Sequence, residues 1–300
     1  MTVPGNATRA YAAHEALVAP VRTHAALWRL FGGVALVVAT VVALNLVLFA
    51  AVVGLAPPDQ VAGFQSGASP VAVLILLFSF GFVTLAVALA VRQFQNRSLW
   101  SVIGPRRVAV AQFWRVLRAL LVLGVVLFLL PPYDMGAPFE PNLPIGLWLG
   151  LLPLSLAAVL IQTSAEEILF RGYLQQSLAA RFRSPVIWIG VPAVLFAAGH
   201  YAPNAAGENA ALVAVWACVF GVLSADLTAR AGTLGPAIAL HFANNVTALL
   251  IVSLPDSLGG LALFHLPFDM SDTGLLRQWL FADFGVMIVG WLTARLALRR

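Results

Sequence analysis

The chain has 300 residues, of which 61% are hydrophobic and only 10% charged, and its mean hydropathy is +0.93. A soluble globular domain is about half apolar and about a quarter charged. The composition therefore excludes a soluble enzyme with a solvated surface, and it excludes a disordered chain. It points instead to an integral membrane protein whose helices are apolar all round.

Spanning a bilayer core takes ~20 apolar residues. In chain order, eight stretches qualify as spans: 32–55, 70–91, 116–131, 145–165, 186–200, 210–228, 236–254 and 279–297. The first is too long for the hydrophobic region of a signal peptide and follows a polar leader, so it is read as a permanent span. The third and fifth are short and are expected to be tilted, kinked or buried within the bundle. Segment 92–115, with Trp100 and Trp114 among its arginines, reads as amphipathic and interfacial. Residues 1–31 are expected to lie at the same interface or to be flexible. Loops 132–144 and 255–275 are rich in turn formers. Gly146 and Gly150 form a GxxxG, expected to pack closely on another helix. The resulting division is 1–31, 32–144, a core at 145–255, and 256–300.

The net charge of +5 rests on 17 basic residues, all of them arginine. They cluster at the ends of apolar stretches, so they read as topology signals, with no nucleic-acid partner. With the N-terminus cytoplasmic, Arg9, Arg22, Arg29, Arg92, Arg97, Arg106, Arg107, Arg115, Arg118, Arg171, Arg181, Arg183, Arg230, Arg295, Arg299 and Arg300 lie inside, and only Arg277 lies outside. The outer loops carry Asp59, Asp134, Glu140, Glu208, Asp256, Asp269 and Asp272. That asymmetry predicts eight spans with both termini cytoplasmic; the host membrane is read separately as a bacterial plasma membrane. Cys218 stands alone, which excludes an internal disulfide and a cysteine metal cluster.

Ionisable groups inside spans are costly and mark function by default. On a helix, Glu167 and Arg171 are i and i+4 with the acid first, the favoured order for an ion pair. Glu166 points about 100° away, toward no local partner. An unpartnered carboxylate in a membrane is placed as a general base or acid needs to be. His200 and His241 lie in separate spans, and Asn245 shares a helical face with His241. Asn244 points elsewhere and reads as an interhelical hydrogen-bonding residue. Counted from the arginine-marked turns, Glu166 and His200 each sit ~22 Å along their helices at ~1.5 Å per residue. His241 and Asn245 sit at comparable depth. The fourth span would then run from about 145 to 181, too long for one straight crossing. Asp226 is expected to pair with Arg230 one turn on. Asp283, His14, His24 and His265 receive no role.

Three motifs follow in order: Glu166-Glu167-Ile-Leu-Phe-Arg171, Phe196-Ala-Ala-Gly-His200 and His241-Phe-Ala-Asn-Asn245. Together they resemble the CAAX protease and bacteriocin-processing family of intramembrane proteases (the CPBP or abortive-infection family), whose pattern is EExxxR, FxxxH and HxxxN on successive helices. The resemblance covers residues 145–255. It implies an all-α polytopic bundle and hydrolysis of a peptide bond. By position, Glu166 would be the catalytic glutamate and His200 its partner on the water. His241 and Asn245 would complete the site, with Glu167 and Arg171 as structural neighbours. The implied substrate is a peptide or protein, lipid-modified or membrane-embedded, met in the bilayer.

The chemistry agrees with this. Glu166 with His200 can deprotonate a water, and Asn245 with His241 can hold an oxyanion. Members of the family are also described as metalloproteases, and Glu166, His200 and His241 are the candidate ligands for Zn²⁺. The HExxH arrangement of common zinc peptidases is absent, so the metal stays open. Two rival readings share the polar cluster. One is a non-catalytic membrane scaffold or immunity-type protein, and the other is a proton-coupled transporter. No inverted repeat of broken helices supports the transporter.

Overall fold

The computed structural model describes residues 10–57, 61, 64, 67–130 and 138–299; Arg9, Asp59, Asp134 and Arg300 lie outside them. Among the described residues, eight apolar helices form one bundle. They are α1 Leu27–Leu55, α2 Pro70–Gln95, α3 Arg106–Leu129, α4 Ile145–Arg181, α5 Pro185–Gly199, α6 Ala210–Ala231, α7 Gly235–Ile251 and α8 Thr273–Leu298. Six helical stretches are long and apolar enough to cross a membrane, while α5 and α7 are shorter. The protein is an all-α polytopic membrane protein.

Sequence chemistry accounts for the helix boundaries. Pro185 opens α5 and Pro236 sits in the first turn of α7, where a missing backbone N–H costs nothing. Gly232, at φ +72°, ends α6 in the left-handed conformation that a β-carbon disfavours. α1 packs one face, with Leu30, Gly33 and Val37 buried, against α2, and its other face is exposed apolar surface suited to lipid.

Several expectations are corrected. The third span is not short: α3 is a continuous helix from Arg106, and only the small helix Leu99–Ile103 separates it from α2. Segment 92–115 is therefore not one interfacial element, because its second half is the first part of a span. The short helices are α5, as expected, and α7. Gly146 and Gly150 do not pack on a helix, since a Cβ at either would meet nothing within 4 Å. Residues 12–24 form short helical turns, and their Leu17 and Val21 are fully buried against the bundle. Tyr11 donates to Asp226 at 2.8 Å, and the expected Asp226–Arg230 pair forms beside it at 2.8 and 2.9 Å.

Opposite the arginine-rich end, three two-residue strands staple the loops. Phe264–His265 pairs antiparallel with Glu140–Pro141 and parallel with Val252–Ser253. The long fourth span does run unbroken from Ile145 to Arg181, and it changes winding on the way: Ile168–Leu174 is π-helical.

Candidate active site

The site lies where α4 and α7 run antiparallel. Gln162 faces Asn245, and one turn on Glu166 faces His241. Both helices become π-helical directly after these residues, α4 at Ile168 and α7 at Thr247. Such wide turns occur often at functional sites, because they shift the side chains beyond them.

His241, 5% exposed, stands between two carboxylates. Its Nδ1 is 2.9 Å from Oε1 of Glu167. Its Nε2 is 3.3 Å from Oε2 of Glu166, within ion-pair reach but outside hydrogen-bond geometry, so that buried oxygen has no hydrogen-bond partner. The two glutamates differ in access: Glu167 is sealed at 0% exposure, whereas Glu166 is 14% exposed. Only Glu166 can meet a reactant without a rearrangement.

Glu167 also accepts a hydrogen bond from Nη1 of Arg171 at 3.0 Å, the i,i+4 pair read from the sequence. Nη2 of Arg171 donates to the Gly221 carbonyl on α6 at 3.4 Å, and the guanidinium lies 4.8 Å from the Phe196 ring. Gly221 is required by close approach, since a Cβ there would stand 2.9 Å from Cα and Cβ of Ala193. A second rung between α4 and α6 follows four residues along both helices, where Gln175 donates to the Ala225 carbonyl at 3.2 Å. Beyond it is the buried His14, whose ring stacks on Trp188 at 4.8 Å.

The charge balance limits what the cluster can hold. Arg171 offsets one carboxylate. The second carboxylate, Glu166, has the His241 imidazole at 3.3 Å as its neighbour. A pair that can take and return one proton suits general acid–base work.

Of the residues expected to act together, Glu166, Glu167, Arg171 and His241 form one contact network. Asn245 stands one turn below His241, donating to Gln162 at 2.8 Å. His200 does not touch them. At the C-terminal end of α5, its Nδ1 donates to the Phe196 carbonyl at 2.9 Å and its ring lies on Phe196 at 4.4 Å. Phe196 in turn abuts His241 at 6.0 Å, so one aromatic ring separates the two histidines. Asn244 is also corrected: it donates to Oδ1 of Asn245 at 3.1 Å rather than to another helix.

Among the described residues, no three His, Cys, Asp or Glu side chains stand together as a metal site. Glu166, His200 and His241 as placed here therefore do not fit a three-ligand Zn²⁺ centre.

Two features escaped the sequence reading. Gln162 lies four residues before Glu166 and shares its face, a spacing that was open to inspection. The other is Phe220, whose ring centroid is 4.9 Å from that of His241 and which looks like ordinary apolar sequence beside the motif residue Phe196.

The fold and the cluster together define a membrane protein carrying a buried glutamate–histidine–arginine centre. Residues 147–247 match the family described as "Type II CAAX prenyl endopeptidase Rce1-like", which bears out the resemblance of this segment to the CAAX protease and bacteriocin-processing family. An uncharacterized protein of Bacillus subtilis (strain 168), YyaK, is 29% identical over 187 residues, covering 60% of this chain. The match spans 60% of that relative's length. No solved structure matches the chain.

Proposed function

We propose that this protein is an intramembrane endopeptidase in which Glu166 activates the attacking water. The observation that carries the reading is the Glu166–His241 contact at 3.3 Å, with Glu166 partly exposed and Glu167 held behind it by Arg171. Water gives a proton to the Glu166 carboxylate while its oxygen bonds to the scissile carbonyl carbon. The carbonyl oxygen gains the electron pair and is held by the Asn245 amide. Collapse of this adduct breaks the C–N bond, and the proton stored on the Glu166–His241 pair passes to the leaving amine. The resemblance assigns His200 to the same water; here its Nδ1 donates to the Phe196 carbonyl and the Phe196 ring stands between it and His241. No serine or cysteine nucleophile is required. We read the substrate as a peptide with a lipid-modified end, the protein as resident in a bacterial plasma membrane, and both termini as cytoplasmic.

The test is Glu166→Gln in the full-length protein. The substitution keeps the shape and removes the base. Cleavage of a quenched farnesylated peptide should vanish while yield and Tm are kept. Cleavage persisting in a well-folded Glu166→Gln protein removes Glu166 as the base.

A further inference from the structure

We infer that Gln162 is a positioning residue that fixes the carboxamide of Asn245 so that its N–H, not its C=O, faces the reacting carbonyl. The inference rests on the reading of Asn245 as the oxyanion donor. Asn245 is gripped at both ends of its amide. Nδ2 donates to Oε1 of Gln162 at 2.8 Å, and Oδ1 accepts from Asn244 at 3.1 Å. Gln162 is only 6% exposed and lies on α4 one turn before Glu166. An –NH₂ group has two hydrogens, and with one committed to Gln162 the other is left for a substrate oxygen.

The orientation matters because a carboxamide is a dipole with two nearly isosteric poses. Rotated by half a turn, Asn245 would present its oxygen to the developing oxyanion and repel it. A carboxamide free to rotate would reorganise at the moment of reaction, which preorganised donors avoid. Gln162 supplies an acceptor at the nitrogen end and so removes the wrong pose. The same helix thus carries the base at 166 and the orienter at 162, on one face.

A plain interhelical hydrogen bond is the competing view, and kinetics separate the two. The full-length protein in lipid nanodiscs is assayed with a quenched farnesylated peptide, and kcat, KM and Tm are measured. Gln162→Met, similar in volume but with no acceptor, should lower kcat about 10- to 100-fold with KM nearly unchanged. Gln162→Asn is polar but one methylene short, gives the same fall, and serves if the methionine variant folds poorly. Gln162→Glu keeps an acceptor and should recover part of the lost kcat. In an Asn245→Ala background, Gln162→Met should cause no further loss, because the group it orients is gone. An unchanged kcat, an additive loss, or a loss that only tracks Tm overturns the inference. Failure of the peptidase reading appears differently: the unaltered protein does not cleave, or Glu166→Gln still does, and the inference then falls with it.

Discussion

Replacing Glu167 by Gln probes the architecture beneath the site. Glu167 is fully buried and serves two partners, Arg171 at 3.0 Å and His241 at 2.9 Å. The substitution leaves a guanidinium with 1% exposure facing a neutral amide. Breaking a buried ion pair from one side costs ~3–5 kcal/mol, because the surviving charge stays desolvated. At ~2 °C per kcal/mol for a chain of this class, Tm should fall by roughly 6 °C or more. Removing both charges differs: Glu167→Leu with Arg171→Met replaces the pair by apolar volume and should recover much of the loss. The assay is Tm in detergent for the single and double variants, beside Glu166→Gln. A single-variant loss below ~1 kcal/mol, the size of an exposed pair, would refute the argument. Equal destabilisation by Glu166→Gln would favour a scaffold in which both carboxylates only join helices.

Acid should loosen the N-terminal turns. Burial against Trp188 and Gln175 pushes the pKa of His14 down to about 4, with neighbouring Glu15 opposing weakly. The unfolded segment, near the usual 6.5, takes the proton first. Stability is therefore complete above pH 6.5 and falls by about 3 kcal/mol in all as pH drops to 4. A pH profile of Tm that is unchanged in His14→Gln rules this out. Gly221→Ala should destabilise the fold by an overpacking cost of ~1–3 kcal/mol, read as a lower Tm, since the new methyl meets Ala193 at 2.9 Å. The same change displaces a carbonyl that Arg171 uses, so a Tm equal to that of the unaltered protein would show that α5 and α6 yield freely.

The fold was legible in the sequence wherever a single property decides it. Eight apolar stretches became eight apolar helices because a bilayer demands continuous hydrophobicity and internal hydrogen bonding. The start of α3 was misread because Arg106, Arg107, Arg115 and Arg118 lower the local hydropathy, although arginine is a good helix former. The burial of His14, Leu17, Val18 and Val21 was not legible, because it depends on partners far along the chain. Tyr11 meets Asp226, and a Cβ at Gly232 would strike the Ala13 carbonyl. The Gly146–Gly150 spacing misled for the opposite reason: small residues permit a helix to approach but do not supply one.

The site shows the same division between local and tertiary terms. The Glu167–Arg171 pair was readable because i,i+4 geometry is a property of one helix. The second partner of Glu167 was not, because His241 reaches it from α7, 74 residues away. That contact changes the roles. Helical geometry alone left Glu166 unpartnered, whereas the packed bundle places one imidazole across both glutamates. Arg171 therefore does more than neutralise Glu167. Its Nη2 also ties α4 to α6 through the Gly221 carbonyl at 3.4 Å. Two adjacent, chemically identical side chains thus stand in different surroundings: Glu167 is fully buried against the guanidinium, whereas Glu166 is 14% exposed.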